Sequence, residues 1–251
     1  MAHTLPRIRS LLITRPAGLA EGLAAGLRAI GVEPVVLPLI EIAPAPDPLS
    51  LATALSGLTD CQWAIFVSPS AVRMGLAAVH EHLEGFPGSV RLAGVGEGSA
   101  KPLREALGRA VLTPVEGADS EGLLACPEMQ AVAGQRVMLF RGVGGRTLIA
   151  DTLAARGATV MHAVCYERRR LRPDTAPLLA NWTDALSVTS TEILDQLVRV
   201  VGEAGLALLQ TTPLFVPHPR IAAAARAYGV RDVRLTSPGD EGLIAALSKP
   251  A

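Results

Sequence analysis

The sequence predicts an α/β protein made of two similar open, mostly parallel α/β halves, and three observations carry that reading. Short apolar runs of strand type alternate with apolar residues at helical spacing, and this alternation is repeated along the 251 residues at a nearly constant offset. A hydrophobic share of 49% can fill more than one core, while 24 Gly and 19 Pro cut the chain into many short elements and exclude a disordered polymer.

The first element is the strand Ser10-Leu11-Leu12-Ile13-Thr14. After Arg15-Pro16, the residues Leu19, Leu23, Leu27 and Ile30 lie on one face of a helix that starts at Pro16 and stops at Gly31, and Val35 to Leu39 gives the next strand. The stretch from Pro38 to Pro48 alternates like a strand and then becomes proline-rich, which reads as a connection. Trp63 to Val67 is a buried strand that ends in Ser68-Pro69-Ser70 and opens an apolar helix. Leu92 to Gly108 reads as strand, glycine turn and helix, and Glu121-Gly122-Leu123-Leu124 opens another helix.

The second pass begins at Arg136-Val137-Met138-Leu139-Phe140, followed by Arg141-Gly142, by Ile149 and Leu153, and by Gly157 before Thr159 to Val164. Arg15 and Arg141 are 126 positions apart. Asp184 to Ile193 parallels Trp63 to Val72, Leu214 to Gly229 parallels Leu92 to Gly108, and Glu241-Gly242-Leu243-Ile244 parallels Glu121 to Leu124, so a duplicated α/β half is expected. Parallel strands with right-handed helical crossovers follow from the alternation. His162 to Arg170 is the counterpart of the Pro38 connection. The two segments read either as a pair of strands between lobes or as ordinary sheet edges with a solvated charge run.

Composition removes several classes of function. Twenty-three basic and 23 acidic residues leave no net charge, and four Phe, two Trp and two Tyr are too few for base-stacking platforms, which argues against nucleic acid. Cys61, Cys126 and Cys165 are odd in number and far apart, so they read as reduced thiols. His3, His80, His82, His162 and His218 have no metal-ligand spacing. Arg7 and Arg9 precede only Leu11-Leu12-Ile13, too short an apolar run for a signal core or a membrane span, so no membrane and a cytoplasmic location are expected. Gly94-Val95-Gly96-Glu97-Gly98 lacks the G-x-G-x-x-G spacing and reads as a tight turn.

Hydroxyls and arginines at strand ends carry the chemistry. In open α/β sheets ligands bind beyond the carboxyl ends of the strands, where helix N-termini favour anions. Thr14, Arg15, Ser68, Ser70, Ser99, Arg141, Arg146, Thr189 and Ser190 fall at such positions. A Ser or Thr before a helix is also an ordinary N-cap, and each one alone reads that way. Their recurrence in both halves, beside arginines, favours two sets of anion donors. Tyr166 lies in the second connecting segment beside arginines, where it either packs or donates a proton.

Taken together, Thr14-Arg15-Pro16, Pro38 to Pro44, Phe66 to Val72, Gly94-Val95-Gly96, Arg141-Gly142 through Arg146, Ala163 to Arg168 and Val188 to Glu192 resemble the uroporphyrinogen-III synthase family over essentially the whole chain. Ser68 follows Val67 where the family commonly has a Thr-Ser pair, and Ser99 stands where it often has Thr; both keep a hydroxyl. The resemblance implies two α/β lobes joined by a two-stranded linker, one lobe inserted in the other. Residues 1–37 with 170–251 would form a discontinuous first lobe, residues 46–162 the second, and 38–45 and 163–169 the paired linker. It also implies a cofactor-independent lyase of tetrapyrrole and heme biosynthesis. Hydroxymethylbilane would lose water and close through a spiro intermediate with ring D inverted, Tyr166 would be the catalytic donor, and the hydroxyls and arginines above would bind substrate. A monomer that receives its substrate by transient hand-over from hydroxymethylbilane synthase is the corresponding expectation. The rival reading is a non-enzymatic, two-lobed small-anion binding or sensor protein.

Overall fold

The computed structural model describes residues 8–248 apart from 116 and 118; Arg7 and His3 of the sequence reading lie outside the described residues. In chain order the elements are β1 Ser10–Ile13, α1 Glu21–Ala29, β2 Glu33–Val36, β3 Ile40–Pro44, α2 Pro48–Ser56, β4 Trp63–Phe66, α3 Pro69–His82 and β5 Arg91–Gly94. They continue with α4 Glu97–Leu107, β6 Val111–Leu112, α5 Ser120–Ala125, α6 Pro127–Gln130, β7 Arg136–Gly142, α7 Leu148–Ala155 and β8 Thr159–Arg170. The last group is α8 Ala176–Ala180, β9 Ala185–Ser187, α9 Thr191–Leu209, β10 Leu214–Val216, α10 Pro219–Ala227, β11 Val233–Leu235 and α11 Gly239–Ser248.

The chain divides into two compact units, one of residues up to Glu41 with those from Arg169 onward, the other Ile42–Arg168. One sheet has the order β11-β10-β9-β1-β2, the other β3-β8-β7-β4-β5-β6. All pairings among β1, β2, β9, β10 and β11, and among β4 to β8, are parallel. The chain passes from one unit to the other within β3 and within β8, and these two strands are hydrogen-bonded neighbours.

The duplication is visible in the strand order. Read as β2-β1-β9-β10-β11 and β8-β7-β4-β5-β6, the two sheets correspond position by position. The first repeat gives β1 and β2 to one sheet and β3 to β6 to the other, and the second gives β7 and β8 to one and β9, β10 and β11 to the other, so β3 has no counterpart in the five-stranded sheet. Gly31 and Gly157 occupy the same place after α1 and α7, with φ of 76° and 84°, a left-handed conformation that ends a helix at little cost only for glycine. The single helix expected from Pro16 is instead split. Leu19 and Ala20 donate to the carbonyls of Pro16 and Ala17 in a tight three-residue turn, and α1 begins only at Glu21, with no side chain capping it.

In the unit of residues 42–168 the sheet is buried on both faces, which is why its strands are continuous apolar runs. Along β4, Ala64 and Phe66 pack into one core and Trp63 and Ile65 into the other. Along β7, Met138 and Phe140 share the first core with Phe66, and Val137 and Leu139 the second. The other unit is centred on Leu11, Ile13, Leu23, Leu27 and Phe215. Among the described residues no helix is long and apolar enough to cross a membrane.

Candidate active site

The residues singled out from sequence lie at or just beyond the carboxyl ends of the strands, separately in each unit. In the discontinuous unit, Thr14 follows β1 and its buried hydroxyl donates to the carbonyl of Ser187 at 2.9 Å, tying β1 to the end of β9. Arg15 is paired with Asp240 in the first turn of α11. Thr189 and Ser190 follow β9. Ser190 caps α9, its Oγ accepting the Ile193 N–H at 3.2 Å. At the next strand, β10, the sequence reading missed His218, whose Nδ1 accepts from the Arg220 N–H at 3.1 Å and caps α10. The signal was present, since a polar residue directly before proline marks a helix start.

In the unit of residues 42–168, Ser68 caps α3 by accepting the Ala71 N–H at 3.0 Å. Ser70 and Ser99 are buried in the first turns of α3 and α4, so neither caps its helix; Gly96 holds the N-cap of α4. Arg141, at the end of β7, turns back to the carbonyls of Gly142 and Gly144. Arg146 is exposed and pairs with Glu121 at 3.1 Å. Several of the predicted arginines and hydroxyls therefore already have partners inside their own unit.

The structure brings together Tyr166 and Ser68. The phenol oxygen lies 3.1 Å from Ser68 Oγ, and Arg168 adds a longer contact, its Nη2 donating to the same phenol oxygen at 3.5 Å. Tyr166 is only 2% exposed, packed with Phe66, Ala71, Phe140 and Cys165. Its neighbour Cys165 donates to the carbonyl of Arg141 at 3.3 Å. A cavity of about 540 Å³ in the same unit opens at the opposite, amino ends of the strands, among Trp63, Arg91, Arg109 and Glu128, and contains none of these residues.

Burial pushes the Cys165 thiol up to about 12. Its folded pKa stands above the unfolded value, so the folded chain keeps the thiol protonated where the unfolded chain ionises. The associated stability is complete below about pH 8.5 and is lost as pH rises toward 12. Thiol alkylation of the native protein should therefore modify the half-buried Cys126 first and spare Cys165. Denaturant titrations at rising alkaline pH should show a shallower loss of stability for Cys165→Ala than for the parent. Rapid native labelling of Cys165 would contradict this placement.

Residues 21–245 match the family model described as Uroporphyrinogen-III synthase HemD. Over 244 residues the chain is 33% identical to the uroporphyrinogen-III synthase of Escherichia coli (strain K12), covering 95% of this chain and 99% of that one. The uroporphyrinogen-III synthase of Salmonella typhimurium gives the same identity and coverage. Among solved structures, a mutant uroporphyrinogen III synthase of Thermus thermophilus aligns with a TM-score of 0.62 at 19% identity, over 95% of this chain and 97% of that chain. The enzyme of Helicobacter pylori 26695 aligns at 0.59 and 16%, over 97% and 99%. At these identities the structural likeness speaks for the fold, and the sequence matches speak for kinship. None of these relatives is named as a binding or sensor protein. By the family model and by relatives matched over almost their full length, the chain belongs to the uroporphyrinogen-III synthase family.

Proposed function

We propose that this chain converts hydroxymethylbilane into uroporphyrinogen III, expelling the terminal hydroxyl as water and inverting ring D through a spiro intermediate. The observation that carries the reading is the whole-length similarity to uroporphyrinogen-III synthases. The local chemistry agrees with it. The substrate bears acetate and propionate groups on every pyrrole, and helix N-termini, hydroxyls and a few arginines can hold a polyanion on a protein of zero net charge.

Arg15 and Arg146 already face Asp240 and Glu121, but a guanidinium has five N–H donors and one carboxylate uses at most two of them. A substrate carboxylate can therefore join either arginine without displacing its partner. Ser70, Ser99, Arg141, Thr189 and Ser190 complete the proposed binding set, Thr14 orders the ends of β1 and β9 because its one O–H is given to Ser187, and Tyr166 supplies the proton that lets hydroxide leave as water. The linear substrate can close by itself without inversion, so the protein's work is to hold the conformation that favours spiro attack, which is positioning catalysis. That instability also favours direct hand-over from hydroxymethylbilane synthase. We place the protein in the cytoplasm as a monomer that works without cofactor.

The test is turnover. Purified protein, given hydroxymethylbilane with no metal or cofactor added, should form cyclic product faster than the spontaneous reaction, and an unaccelerated rate would refute the reading. Within it, Ser190→Ala should raise KM more than it lowers kcat, while removal of the α9 cap costs about 0.5–2 kcal/mol of stability. A lower Tm with unchanged KM would leave Ser190 as a cap only.

A further inference from the structure

The proposed proton donor is enclosed, whereas Ser68, 3.1 Å from its phenol, is half-buried at the exit of β4. Three features of β7 and β8 produce this meeting. First, their parallel register skips a residue: Arg141 pairs with Val164 and Gly142 with Tyr166, leaving Cys165 as the extra residue of a bulge. A bulge re-aims the side chains that follow it. Here it turns Tyr166 onto the face already occupied by Ala163 and Cys165, the face that carries Phe66 and Ala71. Second, Gly142 leaves room for the ring, since a Cβ there would stand 2.7 Å from two of its carbons. Third, the extra residue is held in place by the bond from Cys165 to the Arg141 carbonyl.

Either hydroxyl of the Tyr166–Ser68 pair satisfies the geometry as donor. In the arrangement a relay uses, Arg168, which can only donate, takes an acceptor position of the phenol oxygen at 3.5 Å and the phenol O–H points at Ser68. Ser68 Oγ already accepts the Ala71 N–H. With the phenol as its second donor both acceptor positions of Ser68 are filled, and its own O–H remains to be given to a third group.

We propose that Tyr166 acts through Ser68, as a two-hydroxyl relay whose geometry is set by the Cys165 bulge and by Gly142. This rests on the proposed synthase reaction. The Ser68 O–H proton passes to the departing hydroxyl, and the C–O bond breaks with its electron pair leaving in water. The pyrrole nitrogen lone pair supplies the electrons that make the carbon an azafulvenium cation. The phenol proton moves to Ser68 Oγ, and Arg168 lies beside the phenolate. The proton released when the macrocycle closes and ring D regains aromaticity returns to the phenolate. Ser68 is the catalytic residue that touches the leaving group, Tyr166 reloads it, and Gly142 is a positioning residue.

The experiment is a kinetic cycle on the full chain with hydroxymethylbilane as substrate. Ser68→Ala and Tyr166→Phe should each lower kcat by about 10²-fold or more with smaller changes in KM. The double variant should be no worse than either alone, because both break one path. Ser68→Thr should retain most of kcat. Ser68→Asn should restore the cap, and with it Tm, without restoring kcat. Gly142→Ala, if it folds, should lower kcat in the parent and leave it unchanged in the Tyr166→Phe background. A wild-type kcat for Ser68→Ala beside an impaired Tyr166→Phe would overturn the relay and leave Tyr166 as a direct donor. Losses that multiply in the double variant would overturn it as well. A wild-type kcat for Tyr166→Phe would overturn the acid role itself, and the relay with it.

Discussion

Tyr166→Phe is expected to lower kcat by about 10²- to 10⁴-fold, the usual contribution of a positioned general acid, while product affinity stays near that of the parent. The structure makes this a selective change. The ring fills the space beside Gly142 and within the core of Phe66 and Phe140, and Phe keeps that volume. What is lost is the hydroxyl 3.1 Å from Ser68 and 3.5 Å from Arg168. The Ser68 cap on Ala71 survives, so the stability cost should be near that of one hydrogen bond, about 1 kcal/mol. If Tyr166 only packs, the Phe variant will turn over at the parental rate. That result would remove Tyr166 from the chemistry while leaving the synthase reading standing.

The largest effect on stability should come from Phe140→Ala, with a loss of about 3–5 kcal/mol. Phe140 and Phe66 are fully buried on adjacent strands and stacked with centroids 4.3 Å apart and planes within 8°, and Phe86 closes the cluster at 6.4 Å from Phe140. Removing one ring leaves a cavity between β4, β7 and α3 that Gly75, facing both rings, cannot fill. Against a typical domain stability of about 5–15 kcal/mol this is a large share. The urea midpoint should fall with an unchanged slope, whereas Val143→Ala, at an exposed position, should leave it where it is. A loss below about 1 kcal/mol would show that the cluster repacks.

Strands and helices were legible because their signals are local. Leu11 to Ile13 and Trp63 to Phe66 read as buried strands from their own residues, and Gly31 and Gly157 announced their helix ends. The duplication was legible as an offset, but its consequence was not. That β1 lies beside β9 depends on pairing across about 170 residues, and neither strand carries a mark of its partner. The site divides the same way. Ser68 and Ser190 were identifiable as hydroxyls before helices, and they cap. Ser70 and Ser99 look alike in sequence yet are buried within the first turns, past the N-caps Ser68 and Gly96, a difference of helix start that spacing does not resolve. Asp240, which holds Arg15, lies 225 positions away and gave no signal. The bulge left none, since Ala163 to Tyr166 is a continuous apolar run of the kind expected in a sheet buried on both faces. The role of Gly142 became visible only once β8 was laid against β7.

The most direct test of the account is the isomer formed from hydroxymethylbilane. Purified protein mixed with freshly made substrate, followed by oxidation and separation of the porphyrins, should yield predominantly the type III isomer. Hydroxymethylbilane that closes without the protein should give type I. Predominant type I product in the presence of folded protein, at any protein concentration, would contradict the assignment of ring inversion to this chain.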